Sequence, residues 1–549
     1  MKIIIREFVG SLKERDELDR IIPDLLSTMG LHVFTKPQKP GHRQYGVDVG
    51  AFGVMPNDPE AKEKVYLFSI KGGNLNRQNW DSGKNSLRPE LNEIIDTYIR
   101  TMLPKQYKEY DIVICPTFGG QVGEDVRPNL SAYTEYTEQK SNVEFHEWNG
   151  EVISDYIMNY LLNDRLLASN LRANFNKTLA MIQTPEISLS YFNQIIDANV
   201  NHPTMKMMLW ILYVWSRNED HFEVAFQGTE RVILNRWKTI VKNKKEGEKE
   251  IELFNELLEL FFQVSESYFL KYAEHANLPY VLSSAIKSNS YVDINLQLFA
   301  LLGKLSSIVL WCKWRQARGE EVFEYTGVIK SLIDNNPVLT TPLVESQIVS
   351  FLLATFAILL DTKDSAIEYI EKVFNGICTC FFIKKNYLTY DRPYFALLKH
   401  SAENSSDYMK DSFSADVFIP YIVYLLDHFN EKGLIQDINE AVLKLMPKET
   451  QYQLPISTIS EKEELYFSSR EEFSQGLTSC LFDRKRTISE NVNLMNTYIR
   501  EHIFLSNSKT IENDFAPLFI SASRQSEMPL PVQIVAYWID YCNGEKVNI

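Results

Sequence analysis

The chain has 549 residues, which is too long for one ordinary hydrophobic core, so we expect roughly two to four domains. Hydrophobic residues make up 45% and aromatic residues 12% of the sequence, and this composition excludes disorder for most of the chain. The formal net charge of −15 excludes a protein that binds nucleic acids through its overall charge. Any nucleic-acid contact must therefore come from a local basic patch or from a partner.

The cysteine spacing and the apolar segments of the sequence indicate the redox state and the localisation of the protein. The six cysteines form no CxxC pair with a matching second pair, which indicates isolated thiols in a reducing compartment rather than a zinc site. The start of the chain, MKIIIREFVG, runs directly into the charged SLKERDELDR and is not typical of a secretory signal. The strongest candidate for a membrane span, residues 343–360, has polar residues near its start and is interpreted as a buried helix. We therefore expect a soluble, cytoplasmic protein with no membrane partner.

Residues 1–165 alternate short β-like runs with helical runs. The order predicts an α/β domain of the form α-β-β-β-α-β-α-β-α, a mixed sheet flanked by helices. The first helix contains Pro23, which predicts either a kink or the first helical turn. The predicted strands are residues 31–34, 45–53, 65–71, 110–118 and 142–149, and the later predicted helices are residues 88–103, 127–139 and 150–162.

From residue 166 onward the sequence is almost entirely helical in pattern, with long runs rich in Leu, Phe, Tyr and Trp. It shows no convincing repeat near the periods of helical-repeat proteins, so we expect an irregular α-helical bundle or a degenerate solenoid. The turn-rich and charged stretch 446–464 marks the best later boundary. The predicted domains are therefore 1–165, 166–445 and 446–549.

The predicted strand VYLFSIKGG carries a lysine, Lys71, at its end. Because side chains alternate along a strand, Ser69 and Lys71 lie on the same face. The turn-rich linker between YGVDVG and this strand predicts a hairpin, which would bring Asp48 to the same face as Lys71. Metal-assisted phosphodiester hydrolysis needs a carboxylate to hold Mg²⁺ and a lysine that orients or helps deprotonate the attacking water.

The order of these motifs resembles the PD-(D/E)xK nucleases, in particular the Mrr-type restriction endonucleases and related nuclease modules of bacterial anti-phage systems. The helix DRIIPDLLSTMG has Asp19 in the acidic position, YGVDVGAFG has Asp48 in the aspartate turn, and LFSIKGG has Lys71 in the last element. The resemblance covers about the first 165 residues. It implies a Mg²⁺- or Mn²⁺-dependent nuclease with a restriction-endonuclease-like fold.

The chain departs from the family pattern at Ser69, where the family usually has a carboxylate or a glutamine two residues before the lysine. A hydroxyl is a poorer ligand for a hard cation than a carboxylate. Asp19 or Glu14 of the first helix, or Glu93 of the following helix, is a candidate for the missing charge. Alternatively, a water bridges Ser69 to the metal, or the domain has lost catalysis and retains only a binding role.

Cations lie on both sides of the predicted site in the sequence. A nucleic-acid-binding rim is predicted at Arg43, Arg77, Trp80, Lys84 and Arg88. The alternative is that these residues belong to ordinary mixed-charge loops exposed to solvent.

The main hypothesis is a metal-dependent nuclease that cuts DNA, fused to a helical region that senses a signal, forms oligomers or docks a partner protein. Such an enzyme would act as an effector of anti-phage defence. One alternative is an inactive nuclease fold that serves as a binding module on a helical scaffold, and another is a ribonuclease of the same fold. The sequence contains no P-loop, GxGxxG, HExxH or GxSxG motif that would indicate a different chemistry.

Overall fold

The structure is a computed structural model. It contains two compact units, Met1–His221 and Phe222–Ile549. It describes residues 5–6, 9–10, 12–36, 45–56, 58, 61–82, 86–161, 169–198, 200, 202–243, 248–288, 290–379, 397, 415–445, 451–457, 463–483, 485–486, 488–501 and 508–544.

The first unit is built on a five-stranded mixed sheet. Its strands are β1 (His32–Thr35), β2 (Val49–Gly53), β3 (Lys64–Lys71), β4 (Ile112–Phe118) and β5 (Val143–Phe145). They lie in the order β1-β2-β3-β4-β5. The pairs β1–β2 and β2–β3 are antiparallel, and the pairs β3–β4 and β4–β5 are parallel. This is the mixed sheet that the sequence predicts.

Helices flank this sheet. They are α1 (Asp19–Thr28), α2 (Arg77–Asp81), α3 (Leu87–Glu93), α4 (Arg127–Lys140) and α5 (Gly150–Tyr156). The same unit continues with α6 (Ser169–Ala180), α7 (Pro185–Asp197) and α8 (His202–Asn218). A π-helical segment, Glu14–Leu18, leads into α1, and two others, Ile94–Met102 and Ile157–Leu161, continue α3 and α5. Lys105–Tyr107 forms a short 3-10 turn before β4. Pro23 lies inside α1, downstream of the first of these π-helical segments.

The central strand β3 is buried along its whole length because it has a hydrophobic core on each face. Tyr66, Phe68 and Ile70 pack with α1 in one core. Val65 and Leu67 pack with α3 in the other. The alternation places Ser69 and Lys71 on the face that α3 covers. A buried strand with this pattern ends in polar residues only where a neighbouring element supplies partners for them.

The β2–β3 hairpin confirms the predicted pairing. Val49 lies opposite Phe68, and the Asp48 N–H donates to the Phe68 carbonyl at 2.9 Å. Asp48 therefore lies next to Ser69 at the end of the ladder, on the same face of the sheet as Ser69 and Lys71.

The first unit extends beyond the predicted boundary at residue 165, because α6, α7 and α8 belong to it. Lys206 of α8 forms an ion pair with Asp24 of α1, with 3.9 Å between Nζ and Oδ2. Such a contact depends on the tertiary structure, so the change in sequence texture at residue 166 does not reveal it. The predicted boundary at residue 445 lies inside the second unit.

The second unit is mainly helical, as predicted. Its helices are α9 (Glu223–Lys242), α10 (Glu248–Ala276), α11 (Val281–Ala285), α12 (Tyr291–Ala317), α13 (Val328–Asp334), α14 (Ile348–Leu359), α15 (Lys363–Thr379), α16 (Phe418–His428), α17 (Lys432–Leu445), α18 (Arg470–Gln475), α19 (Ile488–Glu501), α20 (Lys509–Glu512), α21 (Pro517–Ser526) and α22 (Val532–Asn543). Shorter 3-10 turns are Pro337–Thr340, Glu345–Gln347 and Glu463–Phe467. Helices α14 and α15 are separated by a short break at residues 360–362.

The second unit also contains a small sheet that the sequence pattern does not predict. Its strands are β6 (Ala415–Asp416), β7 (Gln451–Ser457) and β8 (Leu477–Phe482), in the order β6-β7-β8. Pro455 lies inside β7, and proline in a run usually argues against a strand. The strand tolerates it because β6 pairs only with Gln451 and Tyr452, so the edge of β7 at Pro455 has no neighbour from β6.

One described helix, α12, is long and apolar enough to cross a membrane, but 72% of its most apolar window is buried inside the protein. Its apolar surface is therefore covered by protein. The segment proposed from the sequence, residues 343–360, contains α14, whose residues are almost all buried, and this confirms its interpretation as a core helix.

Candidate active site at the end of the central strand

The polar end of β3 is organised around the Asp48 carboxylate. The main-chain ladder between β2 and β3 stops at Asp48, and the Ile70 N–H would otherwise lose its acceptor there. The Asp48 side chain takes over this role, because its Oδ2 accepts the hydrogen bond from the Ile70 N–H at 2.7 Å. The bond fixes one oxygen of the carboxylate against the strand.

A second carboxylate comes from α3, which covers this face of the sheet. Glu90 Oε1 accepts a hydrogen bond from Lys71 Nζ at 2.8 Å, and Glu90 Oε2 accepts one from Ser69 Oγ, also at 2.8 Å. The helix is fixed above the strand by Leu87 and Leu91, which are fully buried in the core beneath it. Ser69 and Lys71 therefore hold the two oxygens of one glutamate in place.

A third carboxylate arrives from the other side. Glu14, the first residue of the π-helical segment before α1, has Oε1 3.4 Å from Lys71 Nζ. The Lys71 side chain is only 5% exposed, and its described ion pairs are with Glu14 and Glu90. Three acidic side chains, Asp48, Glu90 and Glu14, thus surround one buried lysine.

Burial and the excess of negative charge shift the pKa values of the residues at this site. Burial raises the pKa of Asp48 to about 7, and Glu90 and Glu14 act in the same direction, against the Ile70 hydrogen bond and Lys71. Burial also raises the pKa of Glu90, although Lys71 and Ser69 oppose it. For Lys71, burial acts to lower the pKa, but the negative charges of Glu90 and Glu14 outweigh it, and the pKa is raised. Lys71 is therefore a cation at neutral pH.

Several residues predicted from the sequence meet at this site, and others do not. Asp48, Ser69, Lys71 and Glu14 are brought together. Asp19 is half-buried at the first position of α1, and the acidic contact to Lys71 comes from Glu14 and not from Asp19.

Glu93, the candidate on the following helix, is the last residue of α3. Glu90, one turn earlier on α3, is the glutamate that contacts Lys71 and Ser69. The apolar pattern of the helix favours Glu90 over Glu93. Leu87, Leu91 and Ile94 are fully buried, and Glu90 lies closer than Glu93 to the centre of the stripe that they form.

The predicted nucleic-acid rim is only partly retained. Arg77 is exposed on α2. Arg88 is paired with Asp81, with 2.7 Å between Nη1 and Oδ2, and lies over the ring of Tyr133. Arg43 and Lys84 lie outside the described residues. Of the two predicted rim cations that the structure describes, Arg88 is paired, whereas Arg77 is exposed and forms no ion pair.

Trp80 is a core residue, which contradicts the prediction that it contacts nucleic acid. Its side chain is 2% exposed and packs edge-to-face on Tyr133, with 5.7 Å between ring centroids. The indole fills the core between the sheet and α3, so no face of it is available to stack on a base.

We expect Trp80→Ala to destabilise the first unit by about 3–5 kcal/mol, the usual cost of removing a buried tryptophan. Arg77→Ala on the same helix is the matched control and should change stability by less than about 0.5 kcal/mol. Hydrogen exchange of the β3 amides in the full chain reports the unfolding of this unit. A Trp80→Ala variant with wild-type protection and a loss confined to nucleic-acid affinity would show that the indole is a contact residue after all.

The oxygens at this site suit a small hard cation such as Mg²⁺, which proteins commonly bind through one or two carboxylates together with substrate phosphates and water. Asp48 and Glu90 provide two carboxylates with raised pKa values, so added positive charge would relieve their mutual repulsion. Among the described residues, however, no group of three or more His, Cys, Asp or Glu side chains is arranged to hold a metal ion. The site fits a cation held by two protein carboxylates better than a closed cage of protein ligands.

No protein-family model matches the chain, and no curated protein or solved structure matches it either. The chemistry of this site must therefore be inferred from its own geometry.

Proposed function

We propose that the first unit is a metal-dependent nuclease of the PD-(D/E)xK kind that cuts DNA. The observation that carries the proposal is the meeting of Asp48, Glu90 and Lys71 at the end of β3, with Ser69 donating a hydrogen bond to Glu90. The serine stands where this class of nuclease usually has a carboxylate or a glutamine. A glutamate from α3 supplies the missing carboxylate in the space above that serine.

In this proposal the carboxylates and the lysine have different roles. Asp48 and Glu90 would hold Mg²⁺ or Mn²⁺, which when bound neutralises charge on the scissile phosphate and acidifies a water molecule. Lys71, kept protonated by its acidic neighbours, donates hydrogen bonds that orient that water or the phosphate oxygens. A lysine with a raised pKa is a poor base, so we assign it orientation and charge stabilisation rather than deprotonation of the water.

The second unit would supply regulation, through oligomerisation or docking of a partner protein. The chain carries a net charge of −15, so its overall field opposes unaided binding to DNA. Arg77 is a described, exposed cation that could contact a phosphate. The acidic charge suits the proposed role, a cytoplasmic effector of anti-phage defence that stays silent on the host genome until it is triggered.

A second candidate is a nuclease fold without activity that binds nucleic acid or protein. It is favoured by the lack, among the described residues, of a group of three metal-ligating side chains. It predicts that the protein does not bind Mn²⁺ at this site. The first candidate predicts binding that weakens below pH 7, as protons compete for Asp48.

The proposal is tested by titrating the full-length protein with Mn²⁺ in a calorimeter and incubating the same preparation with duplex DNA, single-stranded DNA and RNA. Mn²⁺ binding that is lost in Asp48→Asn, with cleavage of duplex DNA that EDTA stops, would support a DNA nuclease. Cleavage of RNA alone would favour the ribonuclease alternative. Unchanged binding in Asp48→Asn, or no binding in either protein, would contradict the assignment of the metal ligands.

Glu90→Gln and Glu93→Gln form a matched pair on one helix. We expect Glu90→Gln to lower kcat/KM by about 10²–10³-fold, since it removes a proposed metal ligand and the charged partner of Lys71. Glu93→Gln should retain most of the activity. Single-turnover cleavage measures both, and the reverse ranking would make Glu93 the functional glutamate of this helix.

A further inference from the structure

The contact between Glu14 and Lys71 depends on a glycine. Gly72 directly follows Lys71, and the segment Leu12–Glu14 lies against it. A Cβ atom at position 72 would be 2.8 Å from the Glu14 nitrogen and 3.4 Å from both the Leu12 oxygen and the Lys13 carbonyl carbon. All three are main-chain atoms, so no side-chain rotation can make room. The segment lies this close only because residue 72 has no side chain.

The Leu12–Glu14 segment is itself held firmly, so it would move as one piece. Leu12 is buried in the core beneath α1. The Lys13 N–H donates to Glu17 Oε2 at 2.8 Å, and the Leu18 N–H donates to the Lys13 carbonyl at 3.1 Å. A push from position 72 would therefore displace Glu14 together with the start of the π-helical segment.

The two acidic contacts of Lys71 differ in their tolerance of such a shift. Glu14 Oε1 is 3.4 Å from Lys71 Nζ, near the outer limit for a hydrogen bond, and a displacement of a few tenths of an ångström breaks it. Glu90 reaches the same nitrogen at 2.8 Å from α3, which the Leu12–Glu14 segment does not carry. A substitution at position 72 thus separates Glu14 from the site and leaves Glu90 in place.

We propose that Gly72 is a positioning residue for the active site, because its missing side chain seats Leu12–Glu14 against the end of β3 and so delivers the Glu14 carboxylate to Lys71. This inference rests on the proposed nuclease function for its effect on catalysis. Its structural part, the coupling of residue 72 to Glu14, does not. With the segment seated, the site has three carboxylates, and with the segment displaced it has two.

The test is a double-mutant cycle on the full-length protein with Gly72→Ala, Glu14→Gln and the combined variant. We expect each single variant to lower kcat/KM on duplex DNA by about 10–100-fold, the scale of a small misplacement at an active site. The double variant should be no worse than either single one, because both changes remove the same contact. Losses that multiply would show that Gly72 acts independently of Glu14 and would overturn the proposal.

A second readout needs neither metal nor substrate. Glu14 Oε1 contacts Lys71 Nζ, and a displaced Leu12–Glu14 segment would remove that contact. In spectra of ¹³Cδ-labelled glutamate recorded at one pH, with Glu14→Gln and Glu90→Gln for assignment, the Glu14 signal should therefore move in Gly72→Ala while the Glu90 signal stays close to its wild-type position. An unchanged Glu14 signal in Gly72→Ala would overturn the coupling. If the wild type cuts no nucleic acid, the nuclease proposal fails and these spectra still decide the role of Gly72.

Gly10→Ala is the matched control, since a Cβ at that position would be 3.7 Å from the Gly119 oxygen, an ordinary contact. It should keep kcat/KM within about twofold of wild type. If Gly72→Ala does not fold, Leu12→Val loosens the buried anchor of the same segment, and it should lower activity and move the Glu14 signal. Wild-type values for a folded Leu12→Val would then contradict the seating role.

Discussion

Replacing Lys71 with methionine is expected to reduce DNA cleavage by about 10³-fold or more, because the site loses the only described cation that faces its three carboxylates. Methionine keeps a similar length and fills the same buried space. The variant also leaves Glu90 without its charged partner. Removing one member of a buried pair costs about 3–5 kcal/mol, so part of the effect will be on stability.

The opposite end of the same strand offers the control for that loss of stability. Lys64 is the first residue of β3 and, like Lys71, is 5% exposed. It pairs with Glu144 at 3.0 Å and Asp58 at 3.6 Å. Lys64→Met should therefore destabilise the unit to a similar degree while leaving cleavage intact under conditions in which the variant is folded. Equal losses of activity in the two variants would mean that Lys71 is only a structural residue.

Asp48→Asn is expected to abolish cleavage and, at neutral and alkaline pH, to stabilise the first unit. The asparagine side chain can still accept the Ile70 hydrogen bond, but it carries no charge in the buried position. In the wild type the pKa of Asp48 is raised from 3.8 to about 7, so the folded state holds the proton more tightly than the unfolded state. The stability that this proton provides is present below about pH 4 and is lost as the pH rises through about 7.

The stability difference between Asp48→Asn and wild type should therefore grow from near zero at about pH 4 to on the order of 2–4 kcal/mol above about pH 7. Hydrogen exchange of the β3 amides across this range measures it. Asp96→Asn, at an exposed position on the π-helical continuation of α3, is the matched control and should change stability by less than about 0.5 kcal/mol. An Asp48→Asn variant that is no more stable than wild type at alkaline pH would show that the carboxylate is well solvated.

Much of the first unit could be predicted from sequence because its signals are local. The alternation in KVYLFSIK, the glycines around Asp48 and the turn-rich linker determine the β2–β3 hairpin, and the hairpin alone places Asp48, Ser69 and Lys71 on one face. Glu90 required tertiary information, since its role depends on α3 packing over that face. The prediction for Trp80 was wrong for a related reason, because its neighbouring cations suggest a surface and only the packing reveals the core.

In the second unit, the helices could be predicted from sequence but the small sheet could not. Long apolar helices such as α12 and α14 are evident from composition, and they are buried as expected. The small sheet depends on pairing between segments far apart in sequence, and Pro455 conceals its central strand from any local pattern. The extent of the first unit likewise depends on the packing of α6 to α8, which a change of composition does not report.

The most direct measurement is the cleavage of supercoiled plasmid DNA by the full-length protein with Mn²⁺, compared with Lys71→Met and Lys64→Met at equal folded concentration. The proposed site predicts nicking or linearisation by the wild type and Lys64→Met, none by Lys71→Met, and none by any of the three with EDTA. Cleavage that survives Lys71→Met, or that continues without a divalent metal, would contradict a nuclease site at the end of β3.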